Sequence, residues 1–252
     1  MYSKTMVGDT SRGDAKVAGT DGEPAADAPR STPGRRGPRR SLELAQVVDA
    51  ALDVVDQGGP DALSVRAVAA GLGVRPNALY TYVASRAALE RELVERLLAD
   101  SDVTLLSGKQ PWAQRILDYA TSLRAILLRH PGAARLMMTA PMDGPTALLV
   151  GERLIAAVVD GGLSPEEASR ASYAVIVQVL GFVALEVAET DGKPPLPPER
   201  DRISERLAAL DWLDARQWPM TAKTKAVTAS WISTEQFVWS VQRLLDGIAP
   251  GR

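Results

Sequence analysis

A chain of 252 residues with 46% hydrophobic content can build a small domain and a larger one around a sizeable core. It holds no cysteine, which excludes disulfides, thiolate nucleophiles and cysteine metal sites and fits a reducing cytosol, while the lone His130 restricts imidazole chemistry. The net charge of −2 requires any nucleic-acid surface to be local, set by where the basic residues lie rather than by their sum.

Residues 1–40 are rich in Gly, Pro, Asp and Ser, lack helical or strand periodicity, and read as a disordered tail with no signal-type apolar core. Its last part, with Arg30, Arg35, Arg36, Arg39 and Arg40 and no acid, reads as an arm that follows phosphates or enters a minor groove, as a solubilising tail, or as the product of a mis-assigned start codon. Ser41 is the expected cap of a first helix carrying Leu44, Val48, Ala51, Leu52 and Val55 on one face, stopped by Gly58-Gly59-Pro60. Ser64 caps a second, short helix with Val65, Val68, Ala69 and Leu72 on its apolar face. Gly71-Leu72-Gly73 breaks that helix, with Val74 plugging the corner. The next helix is expected to begin near Pro76 and to run through Val83, with Leu79 and Val83 facing inward. That leaves Asn77, Ala78, Thr81 and Tyr82 outside and Tyr80 at an edge. Ser85 then caps a longer helix through Leu89, Leu93, Leu97 and Leu98.

From about residue 102 the helical patterns lengthen. Trp112, Ile116, Tyr119, Leu123, Leu127 and Leu128 mark one helix that ends at His130-Pro131-Gly132. A short helix over 133–138 and another over 145–159 follow. Ser164-Pro165-Glu166-Glu167 is a strong helix start, with a cap, a first-turn proline and the capping-box glutamate three residues on. That helix, to about Glu189, is apolar nearly all round after Tyr173, so it needs cover on more than one side. Its most apolar run, Tyr173 to Ala188, is interrupted by Gln178 and Glu186 and is shorter than the roughly 20 apolar residues of a membrane span, so a cytoplasmic chain with no membrane partner is expected. The connection 191–198 is stiff and proline-rich, and a last helix from Ser233 places Phe237, Val238, Val241, Leu244, Leu245 and Ile248 along one stripe. The fold class is therefore all-α: a tail at 1–40, a three-helix head at 41–101 and a larger helical domain at 102–252.

A helix, a glycine turn and a second helix with polar residues outward is the layout of a helix-turn-helix, whose second helix enters the major groove. Between Ser64 and Leu89 stand Arg66, Arg75 and Arg86 and no acid, whereas acids dominate the rest of 41–100. Acids are kept off one surface, as a phosphate-facing surface requires. The segment LSVRAVAAGLGVRPNALYTYVASRAAL resembles the DNA-binding motif of the TetR family of bacterial repressors, with agreement over residues 42–98. Its most telling elements are Leu63-Ser64-Val65-Arg66, Leu72-Gly73-Val74, Ala78-Leu79-Tyr80, and Val83 followed by Ser85-Arg86 and Leu89. The family usually has Lys where Arg86 stands and often His or Tyr at Tyr82.

The resemblance implies that Ser64, Tyr80, Tyr82 and Arg86 contact phosphates while Arg75, Asn77, Ala78 and Thr81 face base edges, with Arg66 and Ser85 on the same surface. The chemistry agrees, since Arg reads guanine, Asn reads adenine, and Thr or Ala methyls meet the thymine methyl, at roughly 1–3 kcal/mol for a good bidentate pair. Tyr80 also fits as a core-edge residue, and Arg66 as a solvated helix face. The second domain resembles the tetracycline repressor more loosely. Leu136 stands where that repressor has a metal-binding His, so no metal and no cofactor is expected, although Glu186 falls near the family's acidic position. An effector pocket is expected among Trp112, Tyr119, Met137, Met138, Met142, Tyr173, Gln178, Phe182 and Glu186, each of which also reads as plain core. Gln178 and Glu186 stand out because a polar side chain in so apolar a helix needs a partner or a pocket.

The family arrangement implies a homodimer through the helices at 164–189 and 234–248, a near-palindromic double-stranded DNA operator, and release by a small-molecule effector. The rival reading is an all-α enzyme or protein-binding adaptor that carries a helix-turn-helix. No P-loop, dinucleotide fingerprint or H-E-x-x-H motif supports catalysis.

Overall fold

The computed structural model describes residues 42–249; the tail at 1–40 and the expected cap Ser41 lie outside the described residues. Helix α1 spans Leu44–Gly58 and is capped by Glu43, whose side chain accepts from the Gln46 backbone while the Gln46 side chain reaches back to the Glu43 amide. Its buried stripe is Val47, Val48, Ala51, Leu52 and Val55, and Leu44, expected inside, is exposed because Val47 takes the inward position. Ser64 caps α2, Val65–Gly71, and accepts from the Ala67 amide at 3.1 Å.

The turn that follows α2 has a defined chemistry. Gly73 adopts φ +65°, the Val74 amide donates to Ala69 O at 3.0 Å and the Gly73 amide to Ala70 O at 3.1 Å. This pair of bonds is a Schellman cap, which needs a residue free to take positive φ at that place. The expected helix from Pro76 to Val83 is instead a 3-10 turn over Pro76–Ala78, continued to Val83 by turn bonds. Buried Leu79 and Val83 hold the segment in place.

Ser85 caps α3, Arg86–Asp100, which buries Leu89, Leu93, Val94, Leu97 and Leu98. After it come α4, Trp112–Arg129, the single turn α5, Pro131–Ala134, and α6, Pro145–Asp160. Helix α7, Pro165–Ala188, starts with the expected reciprocal Ser164–Glu167 capping box. Over 199–229 the sequence offers no apolar period, yet three short helices form: α8 at Glu199–Ala209, α9 at Pro219–Lys223 and α10 at Lys225–Ala229. Helix α11, Thr234–Ile248, closes the chain with Ser233 as its cap.

By length and composition α7 could cross a membrane. It packs instead on α4, α6 and α11 and carries Glu186 buried in an ion-pair cluster. The stripe on α11 is turned inward, with Phe237, Val241 and Leu245 buried and Phe237 meeting Phe182 of α7 edge to face at 5.2 Å. One buried cluster runs from Val47 of α1 to Leu245 of α11, so the parts on either side of residue 101 share their core. Contact between them is close: a Cβ on Gly132 would sit 2.4 Å from Val55 O of α1.

Candidate nucleic-acid interface and ligand cavity

Positions of the acid-free stretch follow from the caps and the turn. Arg66, Arg75, Asn77, Ala78, Tyr80, Thr81, Tyr82, Ser85 and Arg86 are all exposed, and Ser64 is half-buried. Ser64 and Ser85 use an oxygen lone pair to accept from the Ala67 and Ala88 amides, so each hydroxyl keeps its hydrogen for an outside acceptor. Thr81 donates its hydroxyl to Ala78 O at 3.1 Å, so that hydrogen is used within the segment.

Two of the expected phosphate contacts are already engaged within the chain. The Tyr82 hydroxyl donates to Leu42 O, so its single hydrogen is spent on the segment leading into α1. Arg86 donates from Nε to Glu90 at 2.8 Å and from Nη2 to Pro60 O at 3.0 Å, which leaves part of its fork and a reduced net charge toward solvent. Tyr80 is 54% exposed, too open for a core-edge role.

An apolar cavity of about 140 Å³ lies between α4, α6 and α7. Tyr119, Met137 and Met142 line it, together with Leu98 of α3, Leu123 of α4 and Val150, Gly151 and Leu154 of α6. Tyr119 is the polar side chain on that wall. Its hydroxyl lies 3.2 Å from Ser101 Oγ, which donates to Leu98 O at 2.6 Å, and burial pushes the phenol up to about 12.

The other six expected pocket residues lie elsewhere. Trp112 packs against Gly161, where an added Cβ would meet its ring at 2.7 Å. Met138, the last residue of a 3-10 turn over Arg135–Met138, and Tyr173, on the outer face of α7, are exposed at 55% and 69%. Gln178 donates to Ser240 Oγ at 3.0 Å, joining α7 to α11, and Phe182 is used in the Phe237 pair. Glu186 is fully buried and accepts from Arg124 Nε and Nη2, both at 2.9 Å, and from Arg202 Nη2 at 2.8 Å. Arg124 also lies over the Phe237 ring at 5.2 Å. The carboxylate is therefore a structural counter-ion and has no free oxygen turned to a pocket. Leu136 is buried core, and among the described residues no group of three or more His, Asp and Glu side chains converges on a point.

Sequence reasoning misses the link between head and cavity. Glu95 of α3 accepts from the Thr146 amide at 2.7 Å and the Ala147 amide at 3.0 Å, capping α6 from outside that helix. Next to it Arg91 grips Asp143 with two bonds of 2.7 and 2.9 Å and holds that carboxyl below its ordinary range. A second link joins α1 to α5, where His130 Nδ1 lies 2.7 Å from Asp56 Oδ2. Burial raises the Asp56 carboxyl, and the His130 bond works against that rise. The one local signal is Gly144, where a Cβ would stand 2.3 Å from the Glu95 carboxyl carbon, so glycine there admits the cap.

Comparison with known proteins gives matches over both regions. A family model described as "Bacterial regulatory proteins, tetR family" matches residues 47–93, and one described as "Tetracyclin repressor-like, C-terminal domain" matches residues 106–250. The HTH-type transcriptional repressor DrrR1 of Streptomyces coeruleorubidus is 28% identical over 84% of this chain and 79% of its own length. The class E tetracycline repressor protein of Escherichia coli is 30% identical over 67% of this chain and 83% of its own. Among solved structures, that of the Streptomyces coelicolor protein ActR in complex with (S)-DNPA shares the fold at a TM-score of 0.68, with 24% identity over 85% of this chain and all of that one.

Proposed function

The chain belongs to the TetR family of bacterial regulatory proteins, and from that premise we propose how its parts divide the work. It is a DNA-binding transcriptional repressor that a small-molecule effector releases. The observation that carries the DNA-binding reading is the exposed, acid-free surface from Ser64 to Leu89, built on the Gly73 turn. Arg75, Asn77, Ala78 and Thr81 read base edges in the major groove. Phosphates are met by the Ser64 and Ser85 hydroxyls, Tyr80, Arg66 and the free part of Arg86, while Tyr82 holds the chain at Leu42 and seats α1.

The effector is an apolar molecule with one hydrogen-bonding group opposite Tyr119, because the cavity wall is otherwise hydrocarbon and thioether. Swelling of the cavity displaces α6, and Glu95 and Arg91 carry that displacement into α3, which bears the head. Two copies pair through α7, whose residues Tyr173, Val177 and Leu185 form an exposed apolar row at helical spacing, and through Trp239 on α11. Such a dimer sets two recognition segments roughly 34–36 Å apart on a near-palindromic operator in the cytoplasm. An enzyme or adaptor reading is not favoured, since the matched families and relatives are regulators.

The deciding experiment is fluorescence anisotropy of the purified protein on DNA from upstream of its own gene and on random DNA, over a salt series. The own-region affinity is expected to exceed the random one by about 1,000-fold or more at physiological salt. Equal affinities would remove the repressor reading.

A further inference from the structure

Arg202 of α8 is more than nine-tenths buried and gives only Nη2 to a partner, the Glu186 carboxylate that it shares with Arg124. Its Nε and Nη1 have no hydrogen-bond partner among the described residues. Unpaired donors on a buried cation are costly, so an acceptor that reaches them gains more than it would at an exposed arginine.

The same arginine forms part of the wall of an open cleft of about 620 Å³ between the end of α4 and the proline-rich connection. Arg129 and His130 stand on that wall with it, and Leu128, Pro195 and Leu196 add apolar surface. No acid is among the residues lining the cleft, and two acids that contact its basic residues are engaged, Glu186 by two arginines and Asp56 by His130 Nδ1. His130 Nε2 is then the ring nitrogen left for a ligand.

We propose that this cleft is a second ligand site, one for a small organic anion. A carboxylate there meets Arg129, His130 and Arg202, and its hydrocarbon body lies on Leu128, Pro195 and Leu196. The apolar cavity between α4, α6 and α7 has no charged wall residue, so the two sites select opposite chemistries. Because His130 also ties α5 to α1 through Nδ1, an anion on Nε2 sits beside that tie and leaves the Asp56 contact in place. The inference stands on the cleft's own residues and does not depend on the repressor reading.

The chain has one histidine, so the untagged protein gives a single imidazole reporter in proton NMR. Naphthoate and its uncharged isostere naphthamide are titrated against that resonance in the wild type, in Arg129→Gln and in Gly151→Leu, whose added side chain occupies the apolar cavity instead. A saturable shift is expected with naphthoate, at least about tenfold tighter than with the amide, as the loss of one charge-assisted contact implies. Arg129→Gln weakens it by a similar factor, and Gly151→Leu leaves it unchanged. Arg129 is exposed, so its replacement does not threaten the fold. A resonance that stays still, an equal response to the amide, or a response lost in Gly151→Leu overturns the proposal.

Discussion

Tyr119 is at once a core residue and the polar handle of the cavity, and its environment makes it testable by pH. Its phenol is raised from about 10 to about 12 by burial. The native state therefore keeps the proton after the unfolded chain has lost it. This contribution to stability is intact below about pH 10 and is lost as pH rises toward about 12, up to about 3 kcal/mol at 1.36 kcal/mol per unit. Denaturant melts of Tyr119→Phe are expected to lose that part of the alkaline slope; identical slopes in both proteins would show the phenol to be unimportant. At the DNA face, Arg75→Ala and Asn77→Ala are expected to relax preference at one base position by about 1–3 kcal/mol, whereas Arg66→Ala weakens all sequences and lowers the salt slope by about 1. Selection of bound fragments separates the two classes. Equal losses on specific and random DNA from all three contradict the division of roles.

Helix α6 is the element on which the two halves meet, because its first amides are capped from α3 and its inner face walls the cavity. Removing the cap with Glu95→Ala is expected to cost about 1 kcal/mol, or roughly 2–4 °C in melting temperature. DNA release by a saturating effector should become incomplete in that variant while effector binding persists. Full release would show that the signal takes another route. Gly151, midway along α6, has open space where a Cβ would go. Gly151→Leu fills the cavity and gains about 0.5–1 kcal/mol of helix propensity, so the variant should bind DNA, melt higher and ignore effectors that release the wild type. Anisotropy with and without such a compound checks it, and retained release would place the effector elsewhere.

At the scale of the whole molecule, the exposed row on α7 asks for a partner. Tyr173, Val177 and Leu185 are 69%, 51% and 62% exposed, and Gly181 between them has no neighbour where a Cβ would stand, which allows close approach of a second helix. Val177→Asp puts a charge in that face and is expected to give a monomer in sedimentation, with operator affinity collapsed because only one half-site is held. A dimer that survives both Val177→Asp and Leu185→Asp would move the interface away from α7. The buried cluster of Arg124, Glu186 and Arg202 ties α4, α7 and α8 behind this face, and Glu199 adds α11 through Thr234. It holds the outer helices in register with the core.

The sequence by itself determined the caps at Ser64, Ser85, Ser164 and Ser233, the need for glycine at Gly73, and the acid-free surface, because each depends on residues within a few positions of one another. Tertiary structure decided what those pieces are used for. Met137 and Met138 are neighbours with the same side chain, yet one lines the cavity and the other is exposed. Glu186 read as a pocket acid until Arg124, 62 residues away, and Arg202 were brought against it. The polar helix α8 exists because its Arg202 and Glu199 find partners on other elements, which no apolar period signals. Local spacing sets which residues can share a face; only the packing of distant helices, through side-chain contacts of long sequence separation, sets what that face meets.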